Sequence, residues 1–343
     1  MALALSAAAF LATLWLTGQV RRYALTHQLL DVPNARSSHT VATARGGGVA
    51  IVLTTLVALL VLGSIGLLAW SSVRGLSGGG ALVALIGFVD DRWHIAPRWR
   101  LLGHFAAASW VLVWLGGLPP LPAMGFVLEL GWLGHSLAAL YLVWLLNLTN
   151  FMDGIDGIAG IEAITVSLGG ALLYLVAVPG STQWLAPLVL ASATMGFLVW
   201  NWPPAKIFMG DAGSGFLGLM LATLSLQAAW VAPRLFWSWV VLLGAFVVDA
   251  TVTLIRRVAR GEKFYEAHRS HAYQHAAQRW GAHLPVTLAV GAIDLCWLLP
   301  VALLVALEMV EPLVGVLIAY APLVAAAVWL DAGKPSPEVG GTP

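Results

Sequence analysis

The chain has 343 residues, 60% of them hydrophobic and 10% charged, with a formal net charge of +1. A mean hydropathy of +0.87 describes a chain whose solvent is largely lipid. Near-neutral charge with no basic, aromatic-interleaved tract leaves no footprint for nucleic acid, and a single cysteine, Cys296, excludes an intrachain disulfide or cysteine cluster, so a metal would be held by oxygen or histidine.

Apolar stretches near the length that spans hydrocarbon as helix recur from end to end. Eleven are read, at about 2–20, 46–69, 75–89, 99–117, 133–149, 157–178, 184–200, 213–231, 235–255, 285–307 and 311–331. In the first, Arg21 and Arg22 follow the apolar run instead of preceding it, so a retained helix is expected, not a signal peptide. The third is short and holds Gly78-Gly79-Gly80, which leaves its start undefined, and 118–135 is equally indistinct. The expected fold is an all-α integral membrane protein of about eleven transmembrane helices. It forms one polytopic domain, 1–332, with a Gly/Pro/Ser-rich disordered tail at 333–343. Lipid-facing and partner-facing apolar surfaces look alike in sequence, which leaves a homodimer open.

Orientation follows from Lys and Arg. With the N-terminus outside, the inward segments 21–45, 90–98, 146–157, 200–212 and 256–284, the start of the fourth stretch and the C-terminal tail hold 15 of the 17 basic residues; only Arg74 and Arg234 fall outside. The same bookkeeping brings every polar motif to the cytoplasmic edge. The C-terminus is then cytoplasmic as well.

Carboxylates are costly in such a chain and mark metal, proton or substrate sites. Asp90-Asp91 ends the third stretch, where a helix C-terminus is already negative, so a cation such as Arg92 or a divalent metal is expected beside it. The alternative is a polar cap at the interface. Asn147-x-x-Asn150-x-x-Asp153-Gly154-x-Asp156-Gly157 precedes the sixth helix, where free N–H groups attract anions. Simple N-capping is the bland reading, but capping needs one such residue, not four. Gly210-Asp211-x-Gly213-Ser214-Gly215 opens the eighth helix, with Lys206 upstream to neutralise phosphate and Asp211 to ligate metal. The 256–284 loop carries basic anchors and the less easily dismissed His268-Arg269-Ser270-His271. The first loop reads Asp31-Val32-Pro33-Asn34-x-Arg36-Ser37-Ser38-His39 and then Arg45-Gly46-Gly47-Gly48, again anion-binding types at a helix start. Asp249 either joins the site or pairs with Arg256 or Arg257; Glu162 and Asp294 are expected to be hydrogen-bonded within the bundle.

Carboxylates, basic residues and Gly-rich helix starts on one membrane edge suit Mg²⁺-dependent phosphoryl transfer between a soluble diphosphate and a lipid. The order and spacing of Asp90-Asp91, NFMDGIDG (150–157), FMGDAGSGF (208–216) and HRSHAYQ (268–274) resemble the polyprenyl-phosphate N-acetylhexosamine-1-phosphate transferases, over nearly the whole chain. DVPNARSSH (31–39) and RGGG (45–48) look most like the branch that initiates O-antigen and other surface glycans, which includes lipopolysaccharide synthesis. The resemblance implies that UDP-N-acetylhexosamine and undecaprenyl phosphate give undecaprenyl-diphospho-sugar and UMP at the bacterial inner membrane. It implies catalytic roles for Asp90, Asp91, His268 and His271. Substrate contacts would come from Asn150, Asp153, Asp156, Lys206, Arg269 and Arg45, and Mg²⁺ (or Mn²⁺) would be held by Asp211 and Asp153. The alternative substrate is the muramoyl-pentapeptide donor of peptidoglycan synthesis, whose branch would carry a Lys-rich, Thr-Pro-x-Met-Gly-Gly-type first loop and a run of three His, both absent. The alternative from another class is a polyprenyl-linked sugar transporter. Carriers place their sites near the midplane of repeated halves, whereas these acids sit at one edge.

Overall fold

The computed structural model describes residues 1–33, 41–93, 95–262 and 269–335. Asn34, Arg36, Ser37, Ser38, His39, Lys263, His268 and most of the expected tail lie outside the described residues.

Each of the eleven apolar stretches falls on helix. They are α1 (Ala2–Thr26), α2 (Gly48–Ser64), α3 (Trp70–Trp93), α4 (Pro97–Leu115), α5 (Gly131–Met152), α6 (Ile158–Ala177), α7 (Leu185–Asn201) and α8 (Asp211–Val231). The ninth stretch is the pair α9 (Arg234–Leu242) and α10 (Gly244–Ala259), bent by 70°. After α11 (Ala272–Trp280), the tenth runs through α12 (His283–Ile293), a π-helical turn and α13 (Leu299–Ala306), and the eleventh is α14 (Pro312–Trp329). Among the described residues, 7 helices are long and apolar enough to cross a bilayer, or 8 with the bent pair as one span. At 17 residues each, α2 and α7 fall short of that length.

Two sequence expectations are revised. The third stretch is not short: α3 has 24 residues and runs straight through Gly78-Gly79-Gly80. Added side chains there would strike Trp110, Val111 and Phe216, so these glycines let neighbouring helices approach closely and do not break the helix. The segment 256–284 is not one loop, because α10 continues to Ala259 and α11 is helical. The backbone N–H of His271, the N-cap residue, donates to the Gln274 side chain (3.2 Å), half of a capping box that starts α11. The indistinct 118–135 region holds a hairpin, β3 (Leu121–Ala123) with β4 (Phe126–Leu128), turned through Met124 and Gly125 at positive φ.

α8 lies at the centre, with 89% of its apolar window buried, packed by α3 and α5 and touched by α2, α4, α6 and α9. Its small residues permit this: a Cβ on Gly218 would lie 2.6 Å from the Leu145 carbonyl. One three-stranded sheet organises the polar end. β2 (Thr43–Arg45) pairs antiparallel with β1 (Leu30–Asp31) and parallel with β5 (Ile207–Phe208), with Arg45 opposite Phe208. The glycines after Arg45 extend this stitching, since the N–H groups of Gly46 and Gly47 donate to Phe208 O and that of Gly48 to Met209 O. The first loop is thereby fixed against the start of α8.

Candidate active site

Asp211 is the first residue of α8, its N-cap Gly210 at φ 79. The Arg45 Nη2 lies 2.8 Å from an Asp211 carboxylate oxygen and 2.8 Å from Asp91 Oδ1. Asp91 Oδ1 also accepts from the Asp211 backbone N–H (3.2 Å). One guanidinium thus joins carboxylates from α3 and α8. The join depends on close helix contact: a Cβ on Gly87, one turn before Asp91, would sit 2.5 Å from Ala212 N.

Consecutive helix positions point about 100° apart, so Asp90 faces the other side of Asp211. Its carboxylate, 8% exposed, lies 2.5 Å from Arg100 Nη1 and accepts from the Ile95 N–H at 2.7 Å. The same Arg100 nitrogen is 4.0 Å from Asp211 Oδ2. The cations expected at the negative end of α3 are therefore Arg45 and Arg100. Arg92 instead stacks its guanidinium on Phe88, 4.9 Å from the ring centre.

Asn150, on the last turn of α5, donates to Asp211 (3.2 Å) and to Ser214 Oγ (2.9 Å). The turn that follows is held from three sides. Gly157 N–H donates to Asn201 Oδ1, Tyr273 Oη to Phe151 O, and Thr287 Oγ1 to the Asp156 carbonyl. Asp156 accepts from the Ala205 N–H and faces His283 Nδ1 at 3.3 Å. Gly157 adopts φ 77, the left-handed conformation glycine takes without strain, and becomes the N-cap of α6. Neither Asp153 nor Asp156 caps that helix.

These elements enclose a polar cavity of about 200 Å³ whose walls include Arg45, Asn150, Asp153, Asp156, Asp211 and His283. Burial, with the Asp211 carboxylate next in weight, holds the Asp153 carboxyl well above the usual carboxylate range. Excess negative charge at this wall is what a divalent cation would neutralise. Mg²⁺ needs only one or two protein carboxylates when substrate phosphates complete its shell. Among the described residues no group of three or more acidic, histidine or cysteine side chains gathers as a closed metal site. Asp91 and Asp211 nevertheless already converge on one cation, Arg45, and two carboxylates are the protein share such a shell needs.

Not every expected residue reaches the cavity. His271 is buried against Asp249 (Nδ1 to Oδ1 3.3 Å), which also accepts from the N–H groups of Ala272 and Tyr273. Asp249 thus fastens the start of α11. Lys206 places its ammonium 5.8 Å from the Trp200 ring centre, and neither it nor Arg269 lines the cavity. The cavity also has walls that sequence reasoning gave no role: Asn201, Phe208, Gln274 and His283. Phe208 and Gln274 belonged to the motifs FMGDAGSGF and HRSHAYQ, whereas Asn201 and His283 carried no local signal.

The sequence matches the model of Glycosyl transferase family 4 over residues 73–229. It is 27% identical over 271 residues to a probable undecaprenyl-phosphate N-acetylglucosaminyl 1-phosphate transferase of Bacillus subtilis, covering 77% of this chain and 74% of the relative. It is 28% identical over 314 residues to the decaprenyl-phosphate N-acetylglucosaminephosphotransferase of Mycobacterium tuberculosis, covering 81% and 76%. A phospho-N-acetylmuramoyl-pentapeptide-transferase of Moorella thermoacetica is 32% identical over 192 residues, 51% of this chain and 58% of that one.

Proposed function

The chain belongs to the polyprenyl-phosphate hexosamine-1-phosphate transferase superfamily, and from that premise we propose that it transfers N-acetylhexosamine-1-phosphate from a UDP-sugar to undecaprenyl phosphate. The observation that carries this reading is the convergence of Asp91, Asp211 and Arg45 beside an anion-binding helix start. The acceptor's phosphate oxygen attacks the sugar-bearing phosphorus; the bond from that phosphorus to the oxygen bridging to uridine phosphate breaks, and UMP leaves with the bond pair.

Phosphoryl transfer asks for positioning and charge neutralisation more than for covalent help. Asp211 and Asp153, with Asp91 adjacent, would hold Mg²⁺, which when bound neutralises diphosphate charge. Arg45 and Arg100, the guanidinium groups beside Asp211, would neutralise phosphate oxygens. Asn150 sets the Asp211 side chain, and the pinned turn 153–157 presents the Asp153 and Asp156 carboxylates to the nucleotide. A phosphate monoester with a second pKa of about 6 is already mostly a dianion at neutral pH. Asp90 and Asp91 are therefore assigned to positioning, not to proton removal.

The eleven apolar helices would all cross the bilayer, N-terminus outside, with this site at the cytoplasmic face of a bacterial inner membrane. The distribution of Lys and Arg supports that orientation. Relatives aligned over most of the chain carry N-acetylglucosaminyl names, whereas the muramoyl-pentapeptide relative aligns over half. The donor is accordingly a UDP-N-acetylhexosamine, and the product the first lipid-linked sugar of a surface glycan. The test is transfer of label from the sugar phosphate to polyprenyl phosphate by the purified chain, with the donor varied. UDP-N-acetylhexosamine should serve; exclusive use of UDP-MurNAc-pentapeptide would overturn the donor assignment.

A further inference from the structure

The π-helical turn of the tenth span, Asp294–Leu298, opens on a carboxyl group. α12 has 11 residues, so Asp294 lies about 16 Å beyond His283, near the middle of a hydrocarbon layer about 30 Å thick. There it adjoins the carboxyl of Glu162 on α6; Asp294 is 2% and Glu162 1% exposed. The hydrogen bonds expected of these two within the bundle are mostly missing. Thr165 Oγ1 donates to Asp294 Oδ2 at 2.6 Å, but Asp294 Oδ1 and both Glu162 oxygens accept from no donor. The Phe246 N–H, in the first turn of α10 just past the 70° bend, faces Glu162 without reaching hydrogen-bond geometry. Among the described residues, the charged groups of the neighbouring helices are engaged elsewhere: Arg234 of α9 with Glu308, Asp249 of α10 with His271, His283 of α12 with Asp156. The other titratable groups on that side are Tyr320 of α14, which donates to Val240 O, and Tyr141 of α5, hydrogen-bonded to Ser225. Cys296, in the turn itself, is exposed.

We infer that Glu162 and Asp294 form an intramembrane proton-binding site, whose proton holds α6 against the tenth span. Ionised carboxyls only accept hydrogen bonds, so two that face each other attract only when one carries a proton and donates it to the other. Two unpaired charges at this depth are costly. A pair with one proton keeps a single negative charge, and the start of α10, a helix N-terminus, is turned toward it. The π-turn adds a third observation, because such turns interrupt α-helices mostly at functional sites, and this one begins at the residue that meets Glu162. The site lies on the seam that pins the donor turn. α6 and α12 climb together from it: Thr287 Oγ1 donates to Asp156 O, a Cβ on Gly291 would lie 3.0 Å from the Ile161 side chain, and Thr165 meets Asp294. Loss of the proton sets two like charges across that seam and loosens the hold of α12 on the turn that carries Asp156.

The experiment records infrared spectra of the full chain in nanodiscs at pH 7, where a protonated carboxyl gives a C=O band separate from those of carboxylates. The pair should give such a band, slow to shift in D2O because the site is closed to water. Glu162→Gln and Asp294→Asn, which place an amide donor where the proton sits, should each abolish it. A slow band unchanged in both variants overturns the proposal. So does the absence of any slow band from the wild type, a result that needs no variant to fold. A wild-type band that appears only when sodium is withdrawn overturns it too, by assigning the carboxyls to a metal cation. In transfer assays, raising the pH from 7 to 9 should shift the wild-type KM for the UDP-sugar upward and leave that of Asp294→Asn in place; an equal shift in both would overturn the link to the donor turn. Only this last arm rests on the transferase reading above, so a chain with the slow band and no transfer sinks that reading alone.

Discussion

Asp91 is bound on one oxygen by Arg45 and by the backbone of Asp211, which suits a side chain that fixes geometry. Asp91→Asn should lower kcat roughly a hundredfold, the scale of losing one oriented charge at a reacting centre. Its residual activity should keep the wild-type pH profile. A residual rate that climbs steeply with pH where the wild type is flat would show that Asp91 removes a proton. At this scale the sequence was informative for a physical reason: ionised side chains are expensive in an apolar chain, so Asp90, Asp91, Asp153, Asp156 and Asp211 stood out. Arg100 and His283 did not, because one reads as a topology charge and the other as a loop histidine. Their roles come from helix phase, which turns Arg100 onto Asp90 and His283 onto Asp156. Lys206 illustrates the converse: a basic residue near a Gly-rich turn whose side chain leans on Trp200.

Between elements, the contact of α3 with α8 sets the spacing of the carboxylates. Gly87→Ala places a methyl against the backbone of Asp211 and Ala212, which cannot rotate aside. It should cost about 1–3 kcal/mol of stability by overpacking and reduce activity more than ten-fold on the scale of a displaced reacting group; thermal unfolding and kcat measured together check both. An unchanged kcat would show that the site tolerates a shift of α3. α11 gives a pH-dependent case. His275 Nε2 lies 3.2 Å from the Lys334 carbonyl, tying α11 to the segment after α14. Burial pushes the His275 imidazole below its ordinary 6.5. The folded state then binds fewer protons than the unfolded one, so this contribution is full above the ordinary histidine value and is lost as pH falls through it toward the folded one. The melting temperature should drop on going from pH 8 to below 6, and His275→Gln should flatten that drop; an identical drop in the variant would assign it elsewhere. Apolar length announced the long helices directly. The sheet that joins β1, β2 and β5 was not legible, since strands of two or three residues carry no period and this one pairs segments more than 150 residues apart.

For the molecule as a whole, the proposed sidedness has a direct check. In a Cys296→Ala background, Ser181→Cys, between α6 and α7, should react with an impermeant maleimide from outside intact cells. Gln278→Cys, on α11, should react only after permeabilisation; the reverse pattern would invert the topology and place the carboxylate cluster on the wrong side for a cytoplasmic nucleotide sugar. The central claim is the transfer itself. Purified chain should move label from the sugar-bearing phosphate of a UDP-N-acetylhexosamine into polyprenyl phosphate, with one UMP released per lipid formed. The transfer should vanish on chelation, return with Mg²⁺, and fall by at least about a hundredfold in Asp211→Asn. Uridine phosphate released without label in the lipid, or transfer that persists undiminished in Asp211→Asn, would contradict the account.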